Sequence, residues 1–435
     1  MHRTLAGSYP ITLNDLQMQV SRMAGSLIGS EIIKIGNEVN DMIRKGEQIC
    51  NLTIGDFTPS IFPIPEQLRD NITAAYAAGH TNYPPANGTL DLRTAAADFL
   101  RQRLSLAYSP NDLLVAGGSR PLIYATYLAL VDPGDKVVFP TPSWNNNHYC
   151  HLSGAEAVMV ETLPENNFMP TAAELAPHLP GATLLALCSP LNPTGTMFTR
   201  QGLLEICDLV VAENQRRQPG EKPLYLLYDQ IYWMLTFGDA QHFDPVSLRP
   251  ELRDYTIYID GISKCLAATG VRVGYAFGPA VVIDKMKAIL GHVGAWAPKA
   301  EQMATAAYLA NDAAVDAFIP TFKTKLQQSL TTLYDGLQNL KAQGYPVDAI
   351  VPMGAIYLTA KLDVLGKTTP AGQQLTTTKE LTSYLISEAR LALVPFSAFG
   401  TSDTAPWFRM SVGGASLESI EAALPRLQAA LDALQ

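Results

Sequence analysis

Residues 260–275, DGISKCLAATGVRVGY, decide how this chain is read. Lys264 stands just past an apolar, strand-like run at 255–259, and Arg272 follows eight positions later. An amine can condense with an aldehyde, and a guanidinium can clamp a phosphate in a fixed fork. An isolated Lys and Arg would read as a solvated surface pair. Here Gly261, Ser263, Gly270 and Gly274 imply close backbone approach around them instead.

Working outward, the matching pieces come in order. Asn192-Pro193-Thr194-Gly195 follows the apolar run 183–188. Asp229 ends the run 224–228, with Tyr232 three residues on, and Arg409 lies near the C-terminus in WFRMSVGG. With Lys264 and Arg272, this series resembles the class I/II aminotransferases of the aspartate aminotransferase superfamily, fold-type I enzymes that use pyridoxal 5'-phosphate. The resemblance runs from about residue 32 to the last helix. It implies an α/β fold: a large domain with a mainly parallel seven-stranded sheet between helices, plus a smaller α/β C-terminal domain. The implied division is an N-terminal arm and joining segment at 1–60, a cofactor-binding domain at 61–310 and a small domain at 311–435.

Pattern and composition agree with that fold on their own terms. From about 65 to 310, short apolar runs (113–116, 136–139, 155–160, 183–188, 224–228, 255–259 and 271–277) alternate with helical stretches. Such alternation argues a parallel sheet, and runs apolar at every position argue strands covered on both faces. Ligands of such sheets bind beyond the carboxyl ends of the strands, where Asn192, Asp229 and Lys264 fall. Ser30 is expected to cap a helix over 31–45 whose face carries Ile32, Ile35, Val39, Met42 and Ile43, with Gly46 as the stop. A strand is expected at 49–54. Beyond 310 the pattern predicts a long helix to about 343, strands at 355–362, 391–395 and 408–412, and a closing helix over 417–434.

The 435 residues can bury a large core. Apolar residues are 47% and charged residues 16%, which excludes a disordered or polyelectrolyte chain. A net charge of −9 argues against nucleic acid as a partner. Five scattered cysteines lack paired metal spacing and read as free buried thiols in a reducing compartment, with no metal expected. No apolar run is long enough to span a membrane, and a cytoplasmic enzyme is the expectation.

The resemblance assigns roles residue by residue. Lys264 would hold the cofactor aldehyde and, once released, carry protons as general base and acid. Asp229 would pair with the protonated pyridine nitrogen. Tyr232 and Asn192 would hydrogen-bond the ring's phenolic oxygen. Gly118, Ser119 and Arg120 begin a helical stretch suited to the phosphate, joined by Ser263 and Arg272. Many relatives carry a hydroxyl residue where this chain has Gly261. Trp144, in PTPSWNNNH, would stack on the pyridine ring. His148 would either support Asp229 or be a hydrogen-bonded structural histidine. Arg409 would clamp the substrate α-carboxylate beneath the backbone of Gly55, with Trp144 and Asn192 also touching substrate. Tyr83, in YPPANGTLDLR, would reach the phosphate of a neighbouring subunit, which makes the enzyme a homodimer with shared sites.

The implied reaction moves the amino group of an L-amino acid to a 2-oxo acid by ping-pong through pyridoxamine phosphate. A lyase acting at the β- or γ-carbon on the same scaffold is the alternative. A non-catalytic regulatory domain would need a DNA-binding segment, for which the N-terminal arm is too short. Some dicarboxylate-specific relatives carry a lysine at the position of Ser119, and the sequence assigns no other cation to a distal carboxylate.

Overall fold

The computed structural model describes residues 20–435 apart from 28 and 30. Most of the expected arm, and the Ser30 cap, lie outside the described residues. Ser21 instead caps a short helix, Arg22–Ser26, accepting from the Ala24 N–H. The helix Glu31–Arg44 follows, and Gly46 ends it at φ +95°. Ile35, Val39 and Met42 form its buried face against Ile49, Ile386 and Ala392. Ile43 departs from the expected face and is exposed.

The strand expected at 49–54 shrinks to β1, Cys50–Asn51. The reason is competition for its backbone. The carbonyls of Thr53 and Gly55 accept from the side chains of Arg409 and Lys264, so they cannot join a ladder.

All seven predicted runs of the central region become strands. They are β2 (Leu113–Ala116), β3 (Lys136–Thr141), β4 (Glu156–Glu161), β5 (Ala182–Cys188), β6 (Tyr225–Asp229), β7 (Thr256–Gly261) and β8 (Gly274–Phe277). They form one sheet in the order β2-β8-β7-β6-β5-β3-β4, parallel except for β8, which runs against both neighbours. Alternate residues serve opposite faces. Leu114, Val137, Leu184, Leu227 and Ile257 pack with the helices Ser119–Leu130 and Ala280–Val293. Val115, Val138, Leu185, Leu226 and Tyr258 face the other layer, where Leu90–Leu104, Arg200–Arg216 and Lys299–Leu309 lie. One expectation fails: β4 is the edge strand, mostly exposed and bare at Met159, so it is not covered on both faces.

A second, antiparallel sheet has the order β12-β13-β10-β9. Its strands are β9 (Val347–Ala349), β10 (Tyr357–Leu362), β12 (Val394–Pro395) and β13 (Trp407–Ser411). Only β9, three residues long, was not foreseen. The predicted strand at 391–395 splits in two. β11 (Leu391–Ala392) pairs parallel with β1, while β12 pairs with β13. The 31-residue helix Asp312–Ala342 and the helix Leu417–Asp432 cover this sheet with Leu326, Leu330, Leu337, Ile420 and Leu427.

Candidate active site

Where the two sheets meet, a cavity of about 610 Å³ opens beyond the carboxyl ends of β5, β6 and β7. Lys264, Asp229, Tyr232, Asn192, Trp144, Ser119, Arg120, Ser263, Arg272, Gly55 and Arg409 all line it. Residues spread over more than 350 positions of sequence are thus brought to one surface.

Lys264 sits on a single helical turn, Ile262–Cys265, directly after β7. Its Nζ donates to the Gly55 carbonyl at 2.5 Å and lies over the rings of Phe57 and Tyr232. Burial pushes the ammonium down to about 8 against the opposing pull of Asp56, and the guanidiniums of Arg409, Arg120 and Arg272 push the same way as burial. Asp229 closes β6 and accepts the Ile231 N–H at 3.0 Å. No cation forms an ion pair with it among the described residues. Burial raises it to about 6, against the Ile231 N–H and the Lys264 charge.

The guanidinium of Arg409 is 1% exposed. Nη1 donates to Asn192 Oδ1 at 3.0 Å and Nη2 to the Thr53 carbonyl at 2.5 Å, while Nε is buried without a partner among the described residues. The group lies over Tyr357 and Phe399. The turn that carries Asn192 is pressed onto β10. Thr359 Oγ1 donates to the Thr194 carbonyl, and the amides of Met353 and Gly354 donate to that of Gly195. Gly195, at φ +71°, has no room for a side chain beside the Tyr357 carbonyl, which explains the glycine.

At the opposite wall the helix Ser119–Leu130 points its N-terminus into the cavity. Gly118 does not itself line the cavity but abuts the Arg272 guanidinium, with no space for a Cβ between them. Arg272 donates to the carbonyls of Thr269 (2.7 Å) and Gly117 (2.8 Å). A Cβ on Gly274 would come within 2.6 Å of the Gly118 carbonyl carbon. A Cβ on Gly261 would meet Gly274 Cα at 2.8 Å. This contact explains the missing hydroxyl residue at 261. Gly261→Ser is therefore expected to cost about 1–3 kcal/mol through overpacking and backbone strain. A chemical-denaturation midpoint equal to that of the parent would refute this.

Trp144 lines the cavity with the Arg120 guanidinium 4.5 Å from its ring centroid. Arg120 therefore points inward, a direction the sequence left open. Tyr83 stays apart. It is 81% exposed, edge-on to Trp296 in a surface hollow shared with Tyr76 and Lys299. His148 meets neither expectation: its ring hydrogen-bonds neither Asp229 nor any other described residue. Its place beside the site goes to Asn146, which donates to Ser143 Oγ at 2.7 Å and accepts from Tyr127.

Sequence reasoning missed three polar groups. Tyr357 reads as an ordinary strand tyrosine, yet its hydroxyl is 2.6 Å from that of Tyr232. Asp56, next to Gly55, lines the cavity and accepts from Thr269 Oγ1. Asp260, 1% exposed, accepts from the Gly261 N–H (2.7 Å), Trp233 Nε1 (2.9 Å) and Gln230 Nε2 (3.3 Å). Its signal was an acid directly before the lysine-bearing turn. The Glu31–Arg44 helix also contributes Ile32, Ile33, Gly36, Asn37 and Asn40 to the mouth.

Burial lifts Asp260 to about 7. Folded, Asp229 and Asp260 hold their protons more tightly than the unfolded chain does, so their contribution is favourable at low pH. It is lost as pH rises from about 4 through about 6 and 7. Urea unfolding of the cofactor-free protein should show stability falling over that range by at most about 4 kcal/mol for Asp260. Asp260→Asn should flatten the slope, and an unchanged slope in that variant would contradict the assignment.

The fold and the cavity together define the class: a fold-type I α/β protein with a depressed lysine amine, a buried carboxylate and a ring of guanidiniums at its strand ends. Residues 47–427 match the model of the family "Aminotransferase class I and II", and the chain belongs to that family. It is 30% identical to an aspartate aminotransferase of Rhizobium meliloti (strain 1021), covering 97% of this chain and 98% of the relative. An aspartate/prephenate aminotransferase of Thermus thermophilus is also 30% identical, over 88% of this chain and 92% of its own. Among solved structures, the R. meliloti aspartate aminotransferase superposes with a TM-score of 0.87 at 28% identity, over 96% of this chain and 100% of that one. The T. thermophilus enzyme with maleate gives 0.83 at 27%, over 94% and 99%. The protein is an aminotransferase enzyme.

Proposed function

We propose that the cavity binds pyridoxal 5'-phosphate on Lys264 and moves an amino group from an L-amino acid to a 2-oxo acid. The observation that carries this is Lys264 itself, a cavity-facing amine lowered to about 8 with the unpaired carboxylate of Asp229 in the same cavity. The donor set suits the cofactor. An amine near neutrality condenses with an aldehyde, a lone buried carboxylate suits a pyridine N–H, and a helix N-terminus with Ser263 and Arg272 suits a phosphate. When bound, the cofactor's ring withdraws electrons from the substrate α-carbon.

The chain's own residues do the rest. Asp229 keeps the ring nitrogen protonated. Tyr232 and Asn192 fix the phenolic oxygen, and Trp144 holds the ring's face. Ser119, Ser263 and Arg272 hold the phosphate, with Gly118 leaving room for the Arg272 guanidinium and Tyr83 completing the site from a neighbouring subunit. Arg409 orients the substrate through its α-carboxylate. Lys264, freed from its tether, takes the α-proton and returns it. We take 61–310 as the cofactor domain, with 1–60 and 311–435 joining in the small one, and the enzyme as a cytoplasmic homodimer. No helix among the described residues is long and apolar enough to cross a membrane.

The charges favour a donor with a second carboxylate. Among the described residues, Arg120, Lys264, Arg272 and Arg409 line the cavity against only Asp56 and Asp229. A phosphate on Arg272 and an α-carboxylate on Arg409 leave Arg120 unmatched. Two relatives named above carry aspartate in their names, and a similar solved structure, an aspartate aminotransferase of T. thermophilus, was solved with maleate, a dicarboxylate. The test is a panel of isotopically labelled donors against 2-oxoglutarate and pyruvate. Labelled product amino acid, with aspartate or glutamate preferred at least about 100-fold over alanine in kcat/KM, is the expected result. Pyruvate plus ammonia would instead mean lysis. Arg120→Gln should lower dicarboxylic turnover while sparing alanine.

A further inference from the structure

Tyr357 belongs to β10 of the small sheet, and Tyr232 to the turn after β6 of the large one. Both are buried, and their hydroxyl oxygens are 2.6 Å apart, with ring centroids at 5.6 Å. The Tyr357 ring also lies under the Arg409 guanidinium, 4.7 Å from its carbon. Its hydroxyl end stands against Gly55, where a Cβ would meet the oxygen. One side chain therefore touches the carboxylate clamp, the segment that binds the Lys264 amine, and the hydroxyl aimed at the cofactor.

A tyrosine hydroxyl has one proton to give. Between two hydroxyls, only one can donate to the other. If Tyr232 gives its proton to Tyr357, it has none for the phenolic oxygen of the cofactor. The bond must run the other way for Tyr232 to serve the role given above, and this inference rests on that reading. We propose that Tyr357 is a positioning residue whose hydroxyl donates to the Tyr232 oxygen and so directs the Tyr232 proton at the cofactor's phenolic oxygen. Chained donors strengthen each other, so Tyr232 becomes the better donor for it. A stronger donor there favours the form in which the lysine-bound nitrogen has lost its proton, because that proton otherwise shares the same oxygen.

Tyr357→Phe keeps the ring beneath Arg409 and removes only the hydroxyl. The measurement is the pH-dependent absorbance of the lysine-bound cofactor in the holoenzyme, in the parent, Tyr357→Phe, Tyr232→Phe and the double variant. In Tyr357→Phe the transition should move upward by about half a pH unit to one unit. Turnover should fall about 3–10-fold while KM for the amino donor stays within about 2-fold. In the Tyr232→Phe background the second substitution should add no shift, since Tyr357 acts through Tyr232. An unmoved transition in Tyr357→Phe, or an equal shift with and without Tyr232, overturns the proposal. A parent protein that gains no absorbance band with excess cofactor would instead overturn the reading of the site.

Discussion

Lys264→Ala should reduce aminotransfer by at least about four orders of magnitude, the largest effect of any single change. On the proposed function, two roles vanish together: the covalent tether and the group that carries the α-proton. The position also explains why no neighbour can substitute. Nζ is held at the Gly55 carbonyl, and no other lysine among the described residues lines the cavity. Burial lowers the amine to about 8, so far more of it is neutral near pH 7 than for a surface lysine. The variant should fold, because removing a buried cationic amine relieves a desolvation cost. Single-turnover assays with intact cofactor binding would check this. Residual turnover within about 100-fold of the parent would mean that the base lies elsewhere.

Arg409→Lys should lower kcat/KM for every amino donor by roughly 10²–10³-fold. Charge is kept, so the loss isolates geometry. The guanidinium spends Nη1 on Asn192 and Nη2 on Thr53, yet its buried Nε has no partner among the described residues. A lysine cannot reproduce a planar fork that is braced from behind and still presents donors forward. Steady-state kinetics with a monocarboxylic and a dicarboxylic donor should show the same proportional loss. A loss confined to dicarboxylic donors would move Arg409 from the α-carboxylate to the distal one.

Much of this was legible in the sequence because local chemistry and order agreed. The seven apolar runs announced the large sheet, since burial on both faces leaves little choice of residue. The exception is β4, where an apolar run ends on a bare edge. Asp229, Asn192 and Lys264 were readable because they end or closely follow strand-like runs where ligands gather, and Arg409 because it stands inside such a run in the C-terminal part of the chain. Tyr357 was not, because a strand tyrosine carries no sign of what its hydroxyl meets 125 residues away. Asp260 was hidden for a similar reason, as two of its three donors, Gln230 and Trp233, come from the distant turn after β6. The splitting of 391–395 depends on which partner takes each half, a matter of long-range pairing that no window reveals.

That split has a bearing on how the protein is made. Cys50 and Asn51 find their ladder partners in Leu391 and Ala392, and the Thr53 carbonyl waits for a guanidinium 356 positions later. During synthesis these three residues must wait for those partners until the ribosome has finished nearly the whole message. The large sheet can assemble while translation continues, but the pocket gains the Arg409 guanidinium only in the final moments before release.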